Sequence, residues 1–147
     1  MKIKTDENSE IVKWPYNFAD LRADNPNTSF PAQPTEALFE AYGVYNVDYA
    51  PEPEYDRLTY SCAQNAAPTL TDGAWTVGYT VTQRSEDDAA DRVRRHRNGL
   101  LAETDQYALS DRTLSAAMAQ YRSDLRAVPQ QSGFPFSITW PTKPAEE

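Results

Sequence analysis

The chain is 147 residues long and carries 14 Lys and Arg against 22 Asp and Glu, a formal net charge of −8. That length suits one domain, or one small domain with an appended helical arm. No stretch approaches the ~18–20 apolar residues of a membrane span, and the acidic balance argues against general nucleic-acid binding.

The start, MKIKTDENSE, lacks the apolar core of a signal peptide. With a single cysteine, Cys62, an internal disulfide is impossible, and one histidine, His96, beside it makes no zinc-ligand cluster. The chain is expected to be soluble and intracellular at synthesis, with no cofactor, metal or small-molecule substrate. Its 3 Trp, 9 Tyr and 5 Phe are too many for a disordered chain and promise a ring-built core.

Charge and hydrophobic period divide the chain at residues 83 and 128. Residues 1–83 hold twelve acidic and five basic side chains, whereas residues 84–126 hold eight of each. In the first region Thr35 caps a short helix through Ala37, Leu38, Phe39 and Tyr42, ended by Gly43. Val44, Tyr45, Val47 and Tyr49 follow as a strand closed off by Pro51 and Pro53. Leu58, Tyr60 and Cys62 alternate with polar residues as a half-buried strand, and Cys62 is expected to point into the core. Asp72-Gly73 marks a turn. After it Trp75, Val77, Tyr79 and Val81 alternate as one strand, expected to form a hairpin with the strand at Cys62.

From residue 84 the period becomes helical. Ser85 with Asp88 resembles a capping box, and Ala89, Val93, His96 and Leu100 share a face, with Leu101 beside it. A connection spans Thr104 to Asp111. A second helix is expected from Thr113, carrying Leu114, Ala117, Met118, Tyr121, Leu125 and Val128. The two are expected to form an antiparallel helical hairpin. Beyond Pro129, Phe134, Phe136, Ile138 and Trp140 sit at two-residue spacing, so an extended chain would present all four on one side. The expected fold class is α+β: a β-rich region with a hairpin over 1–83, a helical hairpin over 84–128, and an extended docking tail over 129–147.

Catalysis is hard to build from this inventory. His96 reads either as a general base or as a helix histidine at the hairpin interface; no nucleophile motif favours the first. Arg92, Arg94, Arg95 and Arg97 read as a salt-bridged helix face, with Asp87, Asp88 and Asp91 in register, or as a surface for an acidic protein. Glu52, Glu54 and Asp56 alternate without the spacing of a calcium loop.

The strings RRHRNGLLAETD and YRSDLRAVPQQSGFPFSITWPTKP resemble the phage tail assembly chaperone family of tailed bacteriophages. Its pattern R-N-x-L-L-x-x-T-D falls on Arg97–Asp105 and Y-R-x-x-L-R on Tyr121–Arg126. P-x-Q-x-G-F-P follows on Pro129–Pro135, and I-x-W-P-x-x-P on Ile138–Pro144. Related tail-fibre assembly proteins share the looser Y-R and I-x-W-P ending. Two tryptophans common in the family are replaced here, by Gln106-Tyr107 and by Met118. The resemblance implies a non-enzymatic protein that binds a tail-fibre or other tail protein and assists its folding or trimerisation. The alternative is a structural component of the virion tail, such as a fibre-tip cap or adaptor. It also implies action in the host cytoplasm and no nucleic-acid or membrane partner. Candidate partner-binding residues are Tyr121, Arg122, Phe134, Phe136, Ile138 and Trp140, with Arg122 expected to anchor near the Trp140 segment.

Overall fold

A computed structural model of the chain describes residues 1–108 and 113–145. It is mixed α+β, with strands β1 (Lys2–Thr5), β2 (Ile11–Tyr16), β3 (Val44–Tyr49), β4 (Tyr60–Gln64), β5 (Thr69–Thr71), β6 (Ala74–Val77) and β7 (Tyr79–Gln83). The helices are α1 (Phe18–Asp24), α2 (Glu36–Ala41), α3 (Glu86–Glu103) and α4 (Ala116–Ala127). None of the described helices is long and apolar enough to cross a membrane. The chain divides into two compact units, Met1–Glu54 with Ala63–Thr80, and Tyr55–Cys62 with Val81–Glu147.

In the first unit five strands form one sheet in the order β2-β1-β3-β6-β5. Strand β1 runs antiparallel to β2 and β3, β3 is parallel to β6, and β5 is antiparallel to β6. Because alternate residues face opposite sides of a pleated sheet, Ile3, Val47, Trp75 and Val77 cluster on one face, with Trp14 against them. Val44 belongs to the other face. There it joins Tyr16, Leu21 and Phe39, with Phe18, Phe30 and Tyr42 packed around. The rings meet edge to face, as between Phe30 and Tyr42 at 5.4 Å, so few side chains fill much volume.

Local chemistry sets the element ends. Thr35 caps α2 by accepting from the Leu38 N–H at 3.3 Å, as its sequence suggests. Gly43 is needed where α2 turns into β3. Its φ is +67°, and an added Cβ would lie 2.9 Å from the Thr5 carbonyl oxygen. Asp72 and Gly73 both take positive φ, 51° and 80°, the pattern of a tight two-residue hairpin turn between β5 and β6.

The run from Trp75 to Val81 is not one strand. Trp75 and Val77 pair with Val47 and Tyr49 in the large sheet, whereas β7 leaves it to form a two-stranded ribbon with β4. Gly78 lies at the break, and a strand-interior glycine often marks such a bend. Trp75 and Val77 are therefore core residues, while Val81 is 39% exposed. Likewise Cys62 is half-buried rather than a core side chain.

The second unit holds α3 and α4. Ser85 caps α3 by accepting from the Asp88 N–H at 3.3 Å. A short 3-10 turn, Asp105–Ala108, follows α3, and residues 109–111 of the expected connection lie outside the described residues. Helix α4 begins at Ala116 rather than Thr113, because Ser115 accepts from the Met118 N–H at 3.2 Å and so caps it there. Met118, Tyr121 and Leu125 form its core, packed by Leu100, Leu101, Tyr107, Leu114 and Trp140.

Residues 129–137 do not run extended. A 3-10 turn over Val128–Gln130 leads into turns over residues 132–136 and a bend at 137. The Ser137 N–H donates to the Gly133 carbonyl at 2.7 Å, folding the chain back on itself. An added Cβ on Gly133 would lie 2.2 Å from the Ser137 carbonyl oxygen, so only glycine allows this approach. Two-residue spacing thus misreads the segment: Pro135 is fully buried while Phe136 is 38% exposed.

Candidate functional site

Three short-range devices organise the second unit. The first joins α4 to the end of α3. Arg122 donates to the Leu101 carbonyl at 3.0 Å, to Thr104 Oγ1 at 2.6 Å and to Asp105 Oδ1 at 2.9 Å. Thr104 is itself fully buried and donates to the Leu101 carbonyl at 2.8 Å. The guanidinium therefore satisfies carbonyl and hydroxyl oxygens at a helix C-terminus, where a cation is favoured. Arg122 is 9% exposed and turned to α3, not to the Trp140 segment as expected.

The second device is Gln131, which no reading of apolar periodicity singles out. Its amide donates to the Thr139 carbonyl and accepts from the Thr139 N–H, both at 2.9 Å. One side chain thus imitates a ladder pair and holds the segment ahead of Trp140. The third is the Gly133–Ser137 turn.

The second unit also holds a cavity of about 450 Å³ lined by Leu58, Val93, Pro135, Phe136, Ile138 and Trp140, with Asp56, Thr59 and Ser137 supplying polar atoms. Asp56 is already engaged, accepting from Thr59 Oγ1 at 2.6 Å and the Leu58 N–H at 2.9 Å. Helix α3 forms one wall. Arg94 stacks over the Phe134 ring at 5.2 Å, and His96 meets Trp140 edge on at 4.9 Å. His96 is exposed, so it is not a buried histidine of the helix pair. Of the six candidate residues, Phe136, Ile138 and Trp140 converge on this cavity. Phe134 lies against α3 beside it, while Tyr121 and Arg122 are buried.

The charged face of α3 is only partly self-paired. Asp88 takes both Arg84 and Arg92 at 3.0 Å, and Asp91 takes Arg94 at 3.5 Å. The hydrogen bond from Arg92 chiefly holds the Asp88 carboxyl below the usual carboxylate range; partial desolvation opposes it and Arg84 reinforces it. Burial raises the Tyr121 hydroxyl, with Glu103 adding to the shift. Among the described residues Arg95 and Arg97 reach no carboxylate; they bond to the Asp91 carbonyl at 3.4 Å and to Asn98 Oδ1 at 2.8 Å. No group of three or more potential metal ligands occurs among the described residues.

Residues 90–145 match the family model described as phage tail assembly chaperone protein. The matched residues take in the cavity wall on α3, the Arg122 network and the Gly133 turn. No curated protein sequence and no solved structure matches the chain. The motif residues fall into place accordingly: the T-D pair, Thr104-Asp105, accepts hydrogen bonds from the Arg of the Y-R pair, and the Q and G of the proline motif are Gln131 and Gly133.

Proposed function

We propose that this protein is a non-enzymatic assembly chaperone that binds a tail fibre, or another tail protein, and assists its folding or trimerisation in the host cytoplasm. The observation that carries the reading is the cavity where Phe136, Ile138 and Trp140 come together, inside the segment that matches the tail assembly family. Helices α3 and α4, taken as a helical hairpin, are its frame, and residues 129–145 are its docking element. Unassembled fibre subunits expose apolar surface and strand edges that aggregate. A partner that covers such surface favours the soluble state, and the larger trimer interface then displaces it. No step in this cycle needs catalysis or a nucleotide. Docking in a side-chain groove suits the turn at Gly133–Ser137 better than donating an extended strand from the same residues.

Co-expression with the fibre tests the reading. Soluble trimeric fibre should rise several-fold, and refolding of the purified fibre with this chain should need no ATP or metal. Unchanged fibre solubility, or a strict ATP requirement, would overturn it. Mass spectrometry of purified virions separates the two fates. Stoichiometric copies would identify a structural tail component, and absence a released chaperone.

A further inference from the structure

Helix α3, which gives Val93 to the cavity of the second unit, carries a run of cations beside it. Between Asp91 and Glu103, α3 holds Arg92, Arg94, Arg95, His96 and Arg97 and not one acid, in a chain whose net charge is −8. At ~100° per residue, His96 and Arg97 flank the line of Val93, the residue that lines the cavity, and Arg95 lies on the opposite side. Arg94 and His96 are fixed near the cavity by their rings, Phe134 and Trp140. Arg97 is within one helical turn of Val93 and has no carboxylate among the described residues. The cavity's one acid, Asp56, has both carboxyl oxygens turned to its own loop. Cations of α3 therefore border a cavity in which six of the nine lining residues are apolar.

We infer that this groove takes an extended segment of the partner in which apolar side chains alternate with carboxylates. The inference rests on the docking role proposed above and adds the chemistry of the docked segment. Apolar side chains would fill the floor of Leu58, Ile138 and Trp140. Carboxylates two residues apart in a strand are separated by about 6.6–6.8 Å, within the reach of Arg94 and Arg97, which stand about one helical turn apart. Arginine forks bind carboxylates in pairs, and electrostatic steering would speed encounter. A nucleic acid fits less well, because the chain is acidic at −8 and a polyanion meets that repulsion at every phosphate, a short peptide only at a few carboxylates.

The test uses the full chain and a fluorescein-labelled nonapeptide alternating Glu with Leu and Val, beside its Gln counterpart and a labelled oligothymidylate. At low salt the Glu peptide should bind at least tenfold more tightly than the Gln peptide, and its binding should shift the Trp140 indole NMR signal. Arg97→Glu should weaken it at least tenfold, whereas Arg95→Glu, on the opposite face, should leave it unchanged. Phe136→Ser should also lose the peptide, with the melting temperature showing that each variant folds. Equal binding of both peptides, no binding of either, tighter binding of the oligonucleotide, or equal losses from Arg95→Glu and Arg97→Glu would each overturn the inference. A wild-type chain that rescues the fibre yet ignores the Glu peptide removes only the inferred chemistry. One that binds the peptide yet never rescues the fibre removes only the chaperone role.

Discussion

The two units of this chain are stabilised by different means. The first is strongly acidic and held by rings and aliphatics on both faces of a five-stranded sheet. The second carries almost as many bases as acids, and specific polar contacts fix its shape: Arg122 on the end of α3, Gln131 on Thr139, and Gly133 against Ser137. Apolar packing tolerates exchange of similar volumes, whereas a hydrogen bond to a charged group requires its own donor and acceptor. Motif-like sequence accordingly concentrates where polar geometry is fixed, and the family match begins within α3 and lies in the second unit.

Substitutions can break this contrast in order of size. Tyr121→Ala and Phe39→Ala each truncate a ring that is 5% exposed, and each should cost about 3–5 kcal/mol by thermal or denaturant unfolding. The two should part in function. At a temperature where both remain folded, Phe39→Ala should retain fibre capture, and Tyr121→Ala, beneath Trp140, should weaken it. Next, Arg122→Ala should cost about 1.5–3 kcal/mol, as expected for lost hydrogen bonds to a charged group. Lysine should restore only part, since it lacks the fork that reaches Leu101, Thr104 and Asp105 together. Gly133→Ala should cost about 1–3 kcal/mol through the clash with Ser137, and should loosen the cavity while leaving the first unit's amide exchange untouched.

Acid should give the smallest effect, and in both units. Asp20, Glu36 and Asp88 are each held below the ordinary carboxylate range, chiefly by hydrogen bonds from Lys13, Lys2 and Arg92. Their folded values lie below the unfolded ones, so the unfolded chain takes up protons first. Their contribution is complete above about pH 5, a little above the unfolded values, and is lost as pH falls through the lowered ones. The acid limb of a melting curve should start at about pH 5, and Asp88→Asn should flatten it slightly.

Much of the local structure was legible from capping and period. Thr35 and Ser85 start helices because their hydroxyls meet N–H groups three residues on, a purely local fact. Strand β3 occupies the expected residues, 44–49. What escaped depends on partners far along the chain. Residues 1–25 hold β1, β2 and α1, where β1 lies between β2 and a strand some forty residues away. A capping box from Asn17 to Asp20 was the missed local sign. At the site, Phe136, Ile138 and Trp140 stood out by spacing and do share a cavity. The reason offered, an extended strand, fails because Gly133 lets the chain turn. Arg122 is expected as an anchor near the Trp140 segment because periodicity counts apolar residues and overlooks a buried cation satisfied by helix-end oxygens.

The most direct test of the central claim, that the second unit's cavity is the docking surface, is the yield of soluble trimeric fibre on co-expression with Phe136→Asp. Phe136 is 38% exposed and outside the buried core, so the variant should fold, with its melting transition as the check. The fibre yield should fall to that of fibre expressed alone. Full rescue by the folded variant would contradict the account.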